Sequence, residues 1–124
     1  MSKGRTSESL DVVYELLADS RRRLLLYQFR AKQVSTIEEL SRNIAASERG
    51  VPVDSVSEED RKSVVTALHH NHLPRLSSRG VIEFDDRSGD VVRSERFDEI
   101  RPFVEQAYTV ESDESTVEWN RPIR

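Results

Sequence analysis

The sequence predicts a mainly α fold carrying a small β-hairpin, an α+β arrangement in a single domain. Three observations point there. Apolar residues recur at helical spacing in several separate stretches. Two short β-rich runs, VIEF and VVR, flank a Gly-containing DDRSGD turn. That hairpin follows directly on a long helix with a polar start, SEEDRKSVVTALHHNHLPRLSSRG. A chain of 124 residues suits one domain, since domains typically run to roughly 100–150 residues. No room is expected for a second, catalytic module.

Residues 1–8 are polar and read as a flexible N-terminus. Ser9 then offers a cap, and Leu10, Val13, Tyr14 and Leu17 recur at i, i+3, i+4 and i+7, which predicts a first helix over 10–18. Asp19 or Ser20 would cap a second helix at about 20–31. Its Leu24, Leu25, Leu26, Tyr27 and Phe29 are too apolar all round for a surface helix, so it is expected to be central. Gln33 and Val34 suggest a short strand. In STIEELSRNIA, Ser35 or Thr36 would cap, Glu38 or Glu39 would close a capping box, and Ile37, Leu40 and Ile44 share one face.

A polar connection with Gly50 and Pro52 leads to a further cap at Ser57. In the helix that follows, Arg61, Val65, Leu68, His72 and Leu76 fall on one side, while Ser63, Thr66, Ala67 and His70 point away. Pro74 lacks the donor that would bond the His70 carbonyl, which predicts a kink or break there. Gly80 fits a left-handed helix end. From Ser94 the pattern is helical again, with Pro102 either kinking the helix or opening a second segment. Residues 109–124, acidic and polar with one Trp, read as a disordered tail.

A helix, a positioning helix, a second helix and a two-stranded hairpin make up a winged helix-turn-helix, here over 9–94, with a C-terminal dimerisation helix over 95–108. With 35% hydrophobic residues and few aromatics (Trp 1, Tyr 3, Phe 4), the core is modest and burial by a second copy is expected. Zero cysteines excludes disulfides, thiolate metal sites and cysteine nucleophiles. The N-terminal stretch has no uninterrupted apolar run and no segment approaches a membrane span, so a soluble cytoplasmic protein without a membrane partner is expected. There is no G-x-S-x-G, no Gly-rich phosphate loop and no H-E-x-x-H, and no enzymatic activity or cofactor is expected.

A net charge of −4 opposes a nucleic-acid partner at first sight, since such binding rests on cation contacts to phosphate. The charge is unevenly spread. Residues 61–96 carry seven Arg/Lys against five acids, whereas 97–124 carry three Arg against seven acids. Only Lys3, Lys32 and Lys62 are lysine, a bias towards Arg and acids that fits a salt-loving archaeal source, although a GC-rich genome gives the same Arg excess. At molar salt, counterion release contributes little, and base contacts and shape would carry more of the affinity.

The run Leu68, His69, His70, Asn71, His72, Leu73, Pro74, Arg75, Leu76, with Gly80, Val81 and Ile82 after it, resembles the H-L-x-x-L-x-x-x-G core of ArsR-like winged-helix regulators. With LLADSRRRLLLYQF and STIEELSRNIA before it, the chain looks more like haloarchaeal winged-helix proteins with an L-x-H-x-H-L-P-x-L-x-x-x-G signature, over roughly residues 9–94. The resemblance implies a homodimeric, sequence-specific binder of double-stranded DNA that regulates transcription, and a structural role for His72. The metal-binding cysteines of ArsR-type sensors are absent, and no metal site is assigned to His69, His70 and His72, of which only the first and last could chelate from a regular helix.

Candidate groove contacts are Lys62, Ser63, Thr66, Ala67 and His70, whose methyl, hydroxyl and imidazole groups can meet base edges or phosphate, together with Arg87 at the hairpin tip. Arg21, Arg22 and Arg23 oppose the macrodipole at a helix start, which is tolerable if they meet acids or phosphate. The apolar face of residues 97–108 can serve as a lid on its own chain or, as is common in small winged helices, as a dimer seam against its symmetry mate or that mate's residues 10–17; the candidate dimer contacts are Leu10, Tyr14, Phe97, Ile100, Phe103, Val104 and Tyr108. Two other readings stand beside DNA binding: a winged helix that docks a protein, and a regulator that senses a ligand or metal, its small-molecule effector unknown.

Overall fold

A computed structural model describes residues 2–112, with side chains from Leu10 onward. The chain orders as α1 (Ser2–Leu17), α2 (Ser20–Gln28), β1 (Val34–Thr36), α3 (Ile37–Arg49), α4 (Glu58–Ala67), α5 (Leu73–Ser78), β2 (Ile82–Phe84), β3 (Asp90–Arg93) and α6 (Phe97–Ser112). It is mainly helical with one small antiparallel sheet in the order β1-β3-β2. Val34 pairs with Val92, and Ile82 with Arg93. This is a winged-helix arrangement, with the β2–β3 hairpin as the wing.

The three arginines after Asp19 turn out to be architectural. The Asp19 carboxylate caps α2, accepting from the Arg21 and Arg22 amides at 2.9 and 3.2 Å. Arg22 then reaches back to the end of α1: its Nε donates to the Leu16 carbonyl at 3.0 Å and its Nη2 to that of Glu15 at 2.9 Å. Arg23 Nη1 donates to the Leu17 carbonyl at 2.7 Å. These carbonyls are the unsatisfied, negative end of a helix, so cations there are favourable. Arg21 instead pairs with Glu48 on α3. Acids and carbonyls take all three guanidiniums.

α1 begins at Ser2 rather than at residue 10, and α2 ends at Gln28 rather than near 31. Thr36 caps α3 by accepting from the Glu39 amide at 3.0 Å. The expected reciprocal bond of a capping box is replaced, because the Glu39 carboxylate accepts from Lys32 and Ser35. Ser57 caps α4 through the Asp60 amide.

The break expected at Pro74 is a single widened turn. Between α4 and α5, residues Leu68–His72 form a π turn in which the Leu73 N–H bonds the Leu68 carbonyl. The helix takes in one extra residue just where Pro74 has no N–H to give and its ring would crowd the carbonyl four residues back. This shifts the buried line from the one expected. Val64, Leu68, Leu73 and Leu76 are fully buried, at spacings of four, five and three, whereas Val65 and Arg61 are only half-buried. His72 is buried beside Leu73.

α5 ends in a Schellman motif. The Val81 amide bonds the Leu76 carbonyl, the Gly80 amide bonds that of Ser77, and Gly80 adopts φ +76°. α6 is one helix despite Pro102, and it extends to Ser112. It therefore covers the first residues assigned to a disordered tail; residues 113–124 lie outside the described residues. Phe97, Ile100 and Val104 of α6 join Leu16, Leu25, Leu26, Phe29 and Ile82 in one core. Among the described residues no helix is long and apolar enough to cross a membrane.

Candidate nucleic-acid interface

α4 is fixed from beneath by Val64 and Leu68, and from its start by the Ser57 cap. Its opposite side presents Lys62, Ser63 and Thr66 exposed and Ala67 half-buried, and the π turn that follows presents His69 and His70, also exposed. The wing rises beside the end of this helix. At its tip the Asp85 carboxylate accepts from the Arg87 amide at 2.9 Å, Ser88 Oγ accepts from the Asp90 amide, and Gly89 takes φ +80°. His69 Nδ1 lies 3.5 Å from an Asp86 carboxylate oxygen, so the tip and the helix end are neighbours. Arg87 is exposed next to that contact.

Four of the six expected groove residues, Lys62, Ser63, Thr66 and Ala67, thus share α4, His70 follows on the π turn, and Arg87 stands on the wing next to it. His69 was weighed only as a metal ligand, and its place at this junction was missed. The widened turn put it there, and the spacing of five between Leu68 and Leu73 was the available signal.

Charge on this face is sparse, and at two points a cation stands beyond ion-pair distance of any carboxylate. Arg21, Arg23, Arg30, Lys32, Arg42, Arg49, Arg61, Arg75, Arg79, Arg96 and Arg101 all lie within 4.0 Å of a carboxylate. Arg22 is buried, and Arg93 donates to the Phe29 carbonyl from a half-buried position. Among the residues whose side chains are described, Lys62 and Arg87 are the two exposed cations with no carboxylate within 4.0 Å, although the Lys62 charge still helps to hold the Glu58 carboxyl low. The first turn of α4 is the reverse, with Glu58, Glu59 and Asp60 in sequence and Arg61 held between Glu38 and Glu58.

Behind the interface lies a buried polar contact. His72 Nδ1 is 3.5 Å from Arg22 Nη1, and its Nε2 is 3.8 Å from the Asp19 carboxylate. Burial pushes the imidazole below its ordinary value, against the pull of Asp19, and Arg22, Arg21 and Arg75 add to the depression. A neutral ring accepting from Arg22 at Nδ1 fits this setting. Burial works to raise the Asp19 carboxyl, but the Arg22 and Arg21 amide bonds and the Arg22 charge, joined by that of His72 once its ring is protonated, outweigh it and hold it low. The three histidines do not converge: His69 and His70 face solvent and His72 faces the core. Among the described residues, no group of three His, Asp or Glu is placed to hold a metal ion.

The expected dimer contacts divide. Phe97, Ile100 and Val104 are buried against the chain's own core, so they cannot meet a second copy while the fold is intact. α6 uses its apolar stripe to pack on α1 and α2, as a lid on the same molecule. Tyr108 is taken as well, edge-on to Tyr27 at 5.2 Å with Arg30 over its ring at 3.7 Å. Leu10 and Tyr14 remain exposed at 38% and 58%, with Phe103 half-buried and edge-on to Tyr14 at 6.3 Å.

The fold is thus that of a winged-helix domain with a helical lid. Residues 14–92, more than half of the chain, match a family described as a domain of unknown function (DUF7344), and the chain belongs to that family. No curated protein matches it, and no solved structure does.

Proposed function

We propose that this protein is a sequence-specific binder of double-stranded DNA that acts as a homodimer in the cytoplasm to regulate transcription. One observation carries the reading. The two exposed cations with no carboxylate within 4.0 Å among the described side chains, Lys62 and Arg87, stand on the helix and on the wing that a winged helix applies to DNA. Between them lie Ser63, Thr66 and His70, with hydroxyl, methyl and imidazole groups suited to base edges. The acidic first turn of α4 would repel phosphate, so the proposed contact falls on the second half of that helix and on the wing tip.

The same acidic turn favours a second reading, a winged helix that docks a basic protein segment through Glu58, Glu59 and Asp60. Fluorescence anisotropy against a library of genomic fragments, from low to molar salt, separates the two. Selective retention of a subset of fragments is the expected result. No retention at any salt concentration would sink the DNA reading. For the dimer, the proposed contact is the exposed remainder of the expected set, Leu10 and Tyr14 with Phe103 beside them.

A further inference from the structure

Between α1, the end of α5 and α6 lies a cavity of about 340 Å³, on a different part of the molecule from the α4 face. This is within the size range of small-molecule sites. Leu10, Val13, Val81, Ile100 and Phe103 give it apolar walls, with Leu10 and Phe103 shared with the edge of the proposed dimer contact, and the exposed Arg79 and Arg96 complete its lining. Both guanidiniums are weakly held. Arg96 Nε is 3.5 Å from Glu99, and Arg79 Nη2 is 4.0 Å from Glu15, whose other oxygen already accepts from Arg75 at 2.7 Å.

Gly80, just outside the cavity, packs beside Arg96: a Cβ there would lie 2.9 Å from Arg96 Cδ, so the bare glycine leaves the Arg96 stem room against the backbone. With Glu99 the only carboxylate beside two guanidiniums in the lining, the polar edge is short of negative charge while most of the wall is apolar. We propose that this cavity binds an amphipathic carboxylic acid, its alkyl or aryl body between α1 and α6 and its carboxylate at Arg79 and Arg96. Paired guanidiniums suit a carboxylate better than any neutral head group.

The test is an NMR titration of the full chain with octanoate and 4-phenylbutyrate, and with 4-phenylbutan-1-ol and 4-phenylbutylamine as neutral and cationic counterparts. Expected are saturable amide shifts confined to residues 10–17, 78–81 and 96–103. The acids should bind about tenfold tighter than the alcohol, as charge-assisted hydrogen bonds warrant. Arg79→Gln with Arg96→Gln should remove that preference. Ser78→Trp, at an exposed lining position, should block binding without lowering Tm. The proposal is overturned by no saturable shift with either acid up to about 10 mM, by equal affinity for acid and alcohol, or by unchanged binding in the Ser78→Trp variant. None of these outcomes depends on whether the α4 face binds DNA.

Discussion

The guanidinium of Arg22 donates to two carbonyls at the end of α1 and faces His72, so a single buried cation ties the first two helices to the π turn. Arg22→Ala strands those carbonyls and should lower unfolding stability by about 2–3 kcal/mol, the cost of leaving buried polar groups unpaired, as read from urea unfolding. The pH dependence of His72 follows from the direction of its shift. The unfolded imidazole titrates near 6.5 and the buried one lower. Between the two values the unfolded chain takes up a proton that the folded chain refuses. The stability contributed by His72 is therefore full above pH 6.5 and falls as pH drops through that window. His72→Asn should flatten this part of the stability profile; an identical profile would assign the proton uptake elsewhere. At the interface, Lys62→Ala and Arg87→Ala should each reduce the slope of log affinity against log salt by about one, the signature of a lost phosphate contact. Thermal melts should be unmoved, since neither side chain is buried.

At the scale of elements, helix starts were legible because capping is local chemistry: Asp19, Thr36 and Ser57 each accept the amides that their side-chain types suggest. The Gly80 end and the wing were legible for the same reason. The register within the long helix was not. Regular 3.6 spacing assigned Val65 to the core, but Pro74 is accommodated by widening the turn before it, and Val64 is buried instead. The α1 start was hidden because Ser2–Ser9 carry no apolar stripe to announce a helix. Two substitutions test these elements. Leu73→Ala should cost about 2–5 kcal/mol as a core truncation. Gly80→Ala should cost about 1–2 kcal/mol from the left-handed backbone alone, and should displace Arg96. Chemical denaturation reads both.

For the whole molecule, the apolar stripe of α6 was legible in the sequence, with two destinations open to it, a lid on its own chain or a seam with a second copy. The seam was preferred because small winged helices commonly pair there, yet α6 closes the core within one chain through Phe97, Ile100 and Val104. Substitutions at Val104 would therefore report on folding, not association. Tyr14→Glu and Leu10→Glu, at exposed positions, should give monomers in light scattering with Tm nearly unchanged; an unchanged mass moves the contact away from α1. The groove residues were legible as a face because α4 is regular up to Ala67, whereas the approach of the wing to His69 depends on the turn that follows. That turn also bears on how the chain could diverge. The angle between the exposed face of α4 and the α5–wing unit is set by the number of residues between Leu68 and Leu73. Each residue of an α-helix turns it by about 100°, so a chain one residue shorter there would offer the same side chains at a different angle to the wing. Two chains identical at every exposed position of α4 could thus differ in the surface they present, by a single codon.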